Sequence, residues 1–251
     1  MTFEASGDRY DRWVGRYLPE LAPALADAAG VRPGQRALDV GCGPGGLTQE
    51  LVARLGPGSV GAIDPSEPFV AACRERNPGV DVRLGVAEEL PFADGSFDAA
   101  LASLVVSFMR DPVQGAREMA RVAHVVVACV WDVGDGMEML RVFWEAVAAI
   151  DPDAAGEKGW IGTSAGDLGR VFREAGLVGI EEGALDVGAD YSSFDDWWEP
   201  FEFGIGPAGS YCVSLDDERR SALREECRAL LGDPRGPFRA RARAWVATGQ
   251  A

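Results

Sequence analysis

Lysine and histidine are almost missing from this chain: Lys158 is the single lysine and His124 the single histidine. Arginine is abundant instead, which reflects genome composition and not function. The five cysteines, Cys42, Cys73, Cys129, Cys212 and Cys227, are odd in number and widely spaced, with no Cys-x-x-Cys pair. Neither a disulfide framework nor a zinc site fits that pattern. A reducing, cytoplasmic setting and no bound metal are therefore expected. No apolar run reaches the length of about 18 residues that a membrane-crossing helix needs. The stretch from Met1 to Tyr17 is polar and aromatic with acids inside it, unlike the basic-then-apolar layout of a secretory leader. Basic residues are outnumbered 24 to 40, for a formal net charge of −16. A polyanion requires a basic footprint. Only Arg239, Arg241 and Arg243 cluster, alternating as on one face of an edge strand, and they read as a solvated face. Nucleic acid and membrane surfaces are not expected partners.

What is present is a core-forming chain. Its 251 residues, 47% of them hydrophobic, suit one α/β domain with an insertion. The organising stretch is Arg36 to Thr48. It reads as a buried strand (Ala37 to Val40), a glycine-rich turn (Gly41 to Gly46) and a helix opening near Leu47. Glycine permits φ > 0 and brings no side-chain bulk, so a ligand can approach this backbone closely beside the positive end of a helix. The spacing Gly41-x-Gly43-x-x-Gly46 fits a dinucleotide fingerprint, which alone is weak. Asp39 shifts the reading. A pyrophosphate would meet like charge there, whereas a ligand carrying an ammonium and a sulfonium would be attracted.

The chain then alternates. Strands are expected at Ser59 to Ile63, Val80 to Gly85, Phe97 to Ser103 and Val125 to Trp131, with helices at Ser66 to Arg76 and from Asp111-Pro112 to Val122. This alternation argues for a parallel sheet wound on both faces. Asp64 closes the second strand, 25 positions after Asp39, where an acid can accept both ribose hydroxyls or simply cap a helix. Upstream, Tyr10, Trp13 and Tyr17 share one face of a short helix, as packing or as a lid. Downstream come helices at Met137 to Ile150 and Ala165 to Gly176, a sixth strand at Leu177 to Val187 and a seventh at Phe238 to Val246. Between those last two lies an insertion rich in aromatics, among them Tyr191, Trp197, Trp198 and Phe201, then a charged helix near Leu215 to Leu231. So many aromatics in one connection suggest a cap over a pocket or a subunit contact.

Asp39-x-Gly41-Cys42-Gly43-x-Gly45, together with Ala87-Glu88-x-Leu90-Pro91-Phe92 and Phe97-Asp98, resembles the class I S-adenosylmethionine (SAM)-dependent methyltransferases. The match is to a type 11-like domain of the broad group that methylates small molecules. The resemblance covers most of residues 10 to 132. It implies a Rossmann-like three-layer α/β sandwich, whose mostly parallel seven-stranded sheet has the order 3-2-1-4-5-7-6 with the seventh strand antiparallel, here with an aromatic-rich cap. It implies that Gly41, Gly43 and Gly45 line the methionyl part of SAM, with Asp39 near its amino group. It further implies that Asp64 binds the ribose, that Pro65 and Ser66 lie beside the adenine with Ala87 and Glu88, and that Ser103 ends the fourth strand at the catalytic face. Two departures stand out. Val86 replaces the acid that often precedes Ala-Glu, and Ala123-His124 leads straight into Val125 where many members have a longer turn.

On this reading residues 1–251 are a single methyltransferase domain: an N-terminal helical lid (1–30), a core (31–187), a cap insertion (188–236) and the last strand (237–251). Its expected reaction is methyl transfer from SAM to a small-molecule acceptor by in-line displacement in a capped pocket, by a monomer or a homodimer. An amine or thiolate that arrives deprotonated needs no protein base, whereas a hydroxyl or acidic carbon does. His124 falls at the wrong end of its strand. Asp132, at the carboxyl end, is the candidate base or substrate-orienting acid, with a turn role as the alternative. Arg16 either clasps the SAM carboxylate or pairs on the surface. Tyr10, Trp13, Trp131, Trp144, Trp197 and Trp198 are candidate pocket walls. Two other readings stay open. A nicotinamide-dependent oxidoreductase fits the glycine spacing and Asp64, but no tyrosine precedes Lys158 by four. A SAM-binding protein without turnover fits the lack of an evident base.

Overall fold

In the computed structural model, residues 12–13, 15–154 and 163–251 are described. Short apolar runs and turn-forming glycines produce five parallel strands: β1 (Ala37–Val40), β2 (Val60–Asp64), β3 (Asp81–Leu84), β4 (Phe97–Ser103) and β5 (Ala123–Trp131). Two longer strands follow, β6 (Val178–Tyr191) and β7 (Phe238–Gln250). β7 runs antiparallel to both β5 and β6. The sheet order is β3-β2-β1-β4-β5-β7-β6, the order that the resemblance implied. The chain moves outward from β1 to β3, then returns to the other side of β1 as β4. That reversal opens a crevice at the carboxyl ends of β1 and β4, the place where open α/β sheets bind ligands.

Helices cover both faces. α1 (Leu18–Ala28), α2 (Gly46–Leu55), α3 (Glu67–Arg76), α4 (Pro112–Val122), α5 (Glu138–Ile150) and α6 (Asp167–Ala175) surround the sheet. Alternation along β1 divides its side chains between the two layers. Ala37 belongs to the core cluster that includes Leu21, Leu51 and Phe143, while Leu38 and Val40 belong to the one that includes Met119 and Phe172. Every residue of β1 is buried, including Asp39. α1 ends as its glycine suggests: Gly30 has φ +63° and its N–H donates to the Asp27 carbonyl at 2.9 Å. α4 is capped by Asp111, whose Oδ1 accepts from the Gln114 N–H at 3.0 Å, with Pro112 at its first position.

The structure moves several expected boundaries. α4 ends at Val122 and β5 begins at Ala123, with no residue between them. Ala123 turns to extended backbone (φ −141°, ψ 152°) while its N–H still donates to Met119. β6 runs on through Gly188 to Tyr191, because its backbone stays paired with β7 as far as Phe238. β7 is not an edge strand: it lies between β5 and β6. Its arginines are nonetheless a solvated face, and two of them are ion-paired, Arg239 with Glu20 and Asp190, and Arg243 with Asp186. Residues 155–162, between α5 and α6, fall outside the described residues.

The connection from β6 to β7 folds as α7 (Phe194–Trp198), a 3₁₀ turn at Glu199–Phe203, α8 (Gly206–Ser214) and α9 (Asp217–Leu230). Its aromatics form one cluster with α5. Phe143 stacks on Phe201 at 4.4 Å with 11° between the ring planes, and Trp197 lies 5.0 Å from Phe201. Trp13 meets Phe201 edge-on at 4.9 Å, which fastens the N-terminal segment to the same cluster.

Phe143 is fully buried, so Phe143→Ala leaves a cavity at the joint between cap and core. The expected loss is about 3–5 kcal/mol, read as a lower urea midpoint. A loss below about 1 kcal/mol, the scale of a surface change, would mean that cap and core do not share this packing.

Candidate functional site

The site is built on β1 and the turn that follows it. Asp39 is 0% exposed. Its Oδ2 accepts a hydrogen bond from the Thr48 hydroxyl of α2 at 2.6 Å, and its Oδ1 is buried without a hydrogen-bond partner. Burial pushes this carboxyl up to about 8, against the opposing pull of the Thr48 hydrogen bond. The turn above it depends on glycine in two different ways. Gly45 has φ +97°, and a Cβ there would lie 2.4 Å from Asn77 Nδ2 and 2.9 Å from Cys73 Sγ, so this glycine lets α2 close on α3. Gly43 has φ +53° and a Cβ there would meet nothing within 4 Å. It leaves open backbone facing a cavity.

Asp64, at the end of β2, ties the turn to the next loop. Its Oδ2 accepts from the Gly43 N–H at 2.9 Å and its Oδ1 from the Ser66 N–H at 2.8 Å. Burial raises its pKa while those two N–H donors hold it down, and burial dominates. Each oxygen keeps further acceptor capacity. The loop carrying Ala87 and Glu88 is fixed from α4. Glu118 accepts from the Leu90 N–H at 2.9 Å, and Arg121 donates to the Leu90 and Phe92 carbonyls, both at 2.9 Å. Glu88 Oε1 in turn accepts from the backbone N–H groups of Arg110 and Asp111 at 2.7 and 3.1 Å. Two cavity-lining loops are thereby joined.

The cavity has a volume of about 840 Å³ and sits over the carboxyl ends of the strands. That is within the size range of small-molecule sites, about 300–1,000 Å³. Of the residues expected at the cofactor, Gly41, Gly43, Asp64, Pro65 and Ser66 line it, as do Ala87 and Glu88. Trp13 and Trp131 line it among the expected walls.

Other expected residues are placed elsewhere. Asp39 lies beneath the turn and Gly45 faces α3. Ser103 is buried with its hydroxyl 3.9 Å from Cys129 Sγ. Arg16 pairs with Asp196 at 3.0 Å and stacks 4.3 Å over the Tyr191 ring, so its guanidinium holds the N-terminal segment to the cap. Asp132 closes the turn into α5. Its carbonyl accepts from the Gly136 and Met137 N–H groups, its Oδ1 lies 3.4 Å from the Asp135 N–H, and Gly136 packs so closely that a Cβ there would lie 2.6 Å from Asp132 Cβ. The carboxylate therefore serves the turn and does not line the cavity. Trp144 packs against Phe143 and Tyr211, and Trp197 and Trp198 against Phe201. Tyr10 lies outside the described residues.

The lining also includes residues that no sequence signal marked: Leu104, Val105, Met109, Val133, Leu140 and Pro207. Leu104 follows β4 with φ +64°, a conformation that costs a branched side chain. Its N–H donates to the Cys129 carbonyl at 2.8 Å, which holds it there. A glycine would have flagged this turn; a leucine does not.

Residues 38–125 match the family model described as a methyltransferase domain. The chain is 38% identical over 124 residues to nocamycin O-methyltransferase of Saccharothrix syringae, an alignment covering 47% of this chain and 44% of that one. It is 40% identical over 98 residues to demethylmenaquinone methyltransferase of Renibacterium salmoninarum, covering 39% of this chain and 40% of that protein. The chain thus spans less than half the length of these curated relatives. Its fold is similar to phosphoethanolamine N-methyltransferase 2 of Haemonchus contortus solved with SAM (TM-score 0.54, 18% identity, 92% of this chain and 52% of that one). The same holds for the [4+2]-cyclase SpnF (TM-score 0.53, 19% identity, 100% and 84%). Residues 38–125 thus match a methyltransferase domain, and the fold is similar to that of a methyltransferase solved with SAM.

The buried Asp39 has a consequence for stability. Its carboxyl ionises near 3.8 in its ordinary state and near 8 in the folded chain. Between those values the unfolded chain binds fewer protons, so this group's contribution to stability falls as pH rises. Denaturant midpoints of the ligand-free protein and Asp39→Asn, compared near pH 5 and near pH 8, should show the wild type losing stability relative to the variant at the higher pH. An unchanged gap would refute a buried, protonated Asp39.

Proposed function

We propose that this protein transfers a methyl group from SAM to a small-molecule acceptor within the 840 Å³ cavity. The observation that carries the reading is Asp64: a carboxylate lining the cavity, held by the Gly43 and Ser66 N–H groups and still able to accept from a vicinal diol. The site suits SAM in three further respects. Gly43 leaves an open cradle, Glu88 and Ala87 stand on a braced loop, and the unpartnered Oδ1 of Asp39 is a free hydrogen-bond acceptor under the turn, on the side where an ammonium donor would lie. A pyrophosphate has no such partner in that place, which disfavours the nicotinamide reading.

When bound, SAM supplies a methyl group on a positively charged sulfur. The chain's own part is to bind, orient and keep water away. Asp64 would fix the ribose, Pro65 and Ser66 with Ala87 and Glu88 would flank the adenine, and Gly41 and Gly43 would leave room for the methionyl chain. Alignment of reactants in this way supports rate gains equivalent to about 7–11 kcal/mol in well-oriented systems. The N-terminal segment serves as lid and the β6–β7 connection as cap, a division supported by the Trp13–Phe201 contact and the Arg12–Glu199 and Arg16–Asp196 pairs. Five free cysteines support a cytoplasmic setting, and the ion-paired arginines of β7 support a protein that does not bind nucleic acid.

Calorimetric titration with SAM, S-adenosylhomocysteine and NADH tests this reading. Saturable binding of the first two is expected. Asp64→Ala should weaken it about tenfold or more, in keeping with about 1.5–3 kcal/mol for hydrogen bonds to a charged group. NADH binding without a response to SAM would overturn the proposal.

A further inference from the structure

Charge is distributed unevenly around the cavity. Among the described residues, the charged groups that line it are Asp64, Glu67, Glu88, Arg110 and Asp111. All of them stand at the end of β2, on the loops that follow β3 and β4, or at the helix start after β2. A second part of the lining is assembled from other parts of the fold. It includes Trp13 from the N-terminal segment, Leu104 after β4, Trp131 and Val133 at the end of β5, Leu140 of α5 and Pro207 of α8, with Thr163 as its polar side chain. None of these carries a charge, and four are nearly buried: Trp13 is 5% exposed, Leu104 8%, Trp131 9% and Leu140 5%.

From this separation we infer that the acceptor is an uncharged molecule with a broad apolar body, which the wall of Trp13, Leu104, Trp131 and Leu140 selects against ions of either sign. The inference rests on the methyltransferase reading for the word acceptor, and on the wall for its chemistry. An anion entering here gives up its water for indole and aliphatic surface, with four carboxylates and one guanidinium around the rest of the cavity. A cation loses the same hydration, and the carboxylates that would compensate stand on the cofactor side. An apolar ring loses nothing comparable and gains contact with two indoles. Leu104 adds rigidity to the selection. Its left-handed backbone and the hydrogen bond from its N–H to the Cys129 carbonyl hold the main chain in place where the side chain lines the cavity.

The test uses three molecules of one shape: naphthol, naphthyl phosphate and naphthylmethylamine. Each is titrated calorimetrically into the full chain, with and without saturating S-adenosylhomocysteine. Naphthol should bind at least about tenfold more tightly than either charged congener. Val133→Asp, a substitution in a partly exposed turn, places a carboxylate in the wall. It should weaken naphthol about tenfold and strengthen the amine, with S-adenosylhomocysteine affinity held within about twofold as the sign of an intact fold. Trp13→Ala should weaken naphthol without altering its order against the ions. Equal or tighter binding of a charged congener to the parent chain, or a Val133→Asp variant that binds naphthol as before, would overturn the inference. If S-adenosylhomocysteine fails to bind while naphthol keeps its advantage, the methyltransferase reading falls and the apolar subsite stands. If S-adenosylhomocysteine binds and the advantage is missing, the inference falls alone.

Discussion

A carboxyl group with no exposed surface lies under the glycine-rich turn that follows β1, and much of the site's geometry follows from it. Asp39 cannot be solvated, and the Thr48 hydroxyl of α2 donates to its Oδ2. That bond sets where α2 begins relative to β1. The first turn of α2 must then come down beside α3, where Asn77 and Cys73 leave room only for the glycine at position 45. With both helices fixed, the turn between them has little freedom. Gly43 is left with its backbone open to the cavity and its N–H on Asp64. The acid under the turn and the acid beside it are thus connected through one stretch of glycine-rich backbone. Burying a carboxylate is costly, and a cost of this kind at a binding site is typical of strain that the surrounding packing holds in place.

The first half of the chain was legible because its signals are local. Ala37 to Val40 reads as a buried strand without reference to anything distant, and Asp39 with its glycines is a short constellation whose chemistry is contained within thirteen residues. Asp64 could be placed because strands and helices alternate regularly before it. The wall of the cavity had no such signature. Leu104 adopts a glycine-like φ, but β4 ends at Ser103 and Leu104 follows with no turn residue to mark it. Val133, Leu140 and Pro207 come from three elements that only the folded chain brings together. Asp132 misled because it ends the right strand at the right end. What a strand position does not reveal is that Gly136 packs on its Cβ and draws the carboxylate into a turn.

Aromatic residues misled in a more instructive way. A dense group of rings in a connection implies burial, but burial against what is not a property of the segment. Trp144, Trp197 and Trp198 turn to Phe143 and Phe201 and build the cap's own joint with α5. Rings at the cavity come instead from Trp13, Phe69, Phe108 and Trp131, none of them in the connection. The cap therefore contributes to the site mainly through packing: its cluster holds α5 and the N-terminal segment where Leu140 and Trp13 can reach the cavity. Arg16 belongs to the same joint, since its guanidinium is committed to Asp196 and Tyr191.

A fold of this kind does not determine its chemistry. A similar sheet carries a [4+2]-cyclase and an N-methyltransferase, each at less than 20% identity to this chain. Here the lining from Trp13, Leu104, Trp131, Val133, Leu140 and Pro207 is uncharged, while the end of β2 and the segments after β2, β3 and β4 carry four carboxylates and one guanidinium. The two halves need each other. Acidic loops favour a cationic cofactor at one end, and an apolar wall at the other excludes both water and the ions that would compete for those carboxylates. A methyl group carried on a positively charged sulfur between the two would be attracted from one side and desolvated from the other. The arrangement makes the same division of charge serve binding and water exclusion at once, and it does so with residues from seven separate places in the chain.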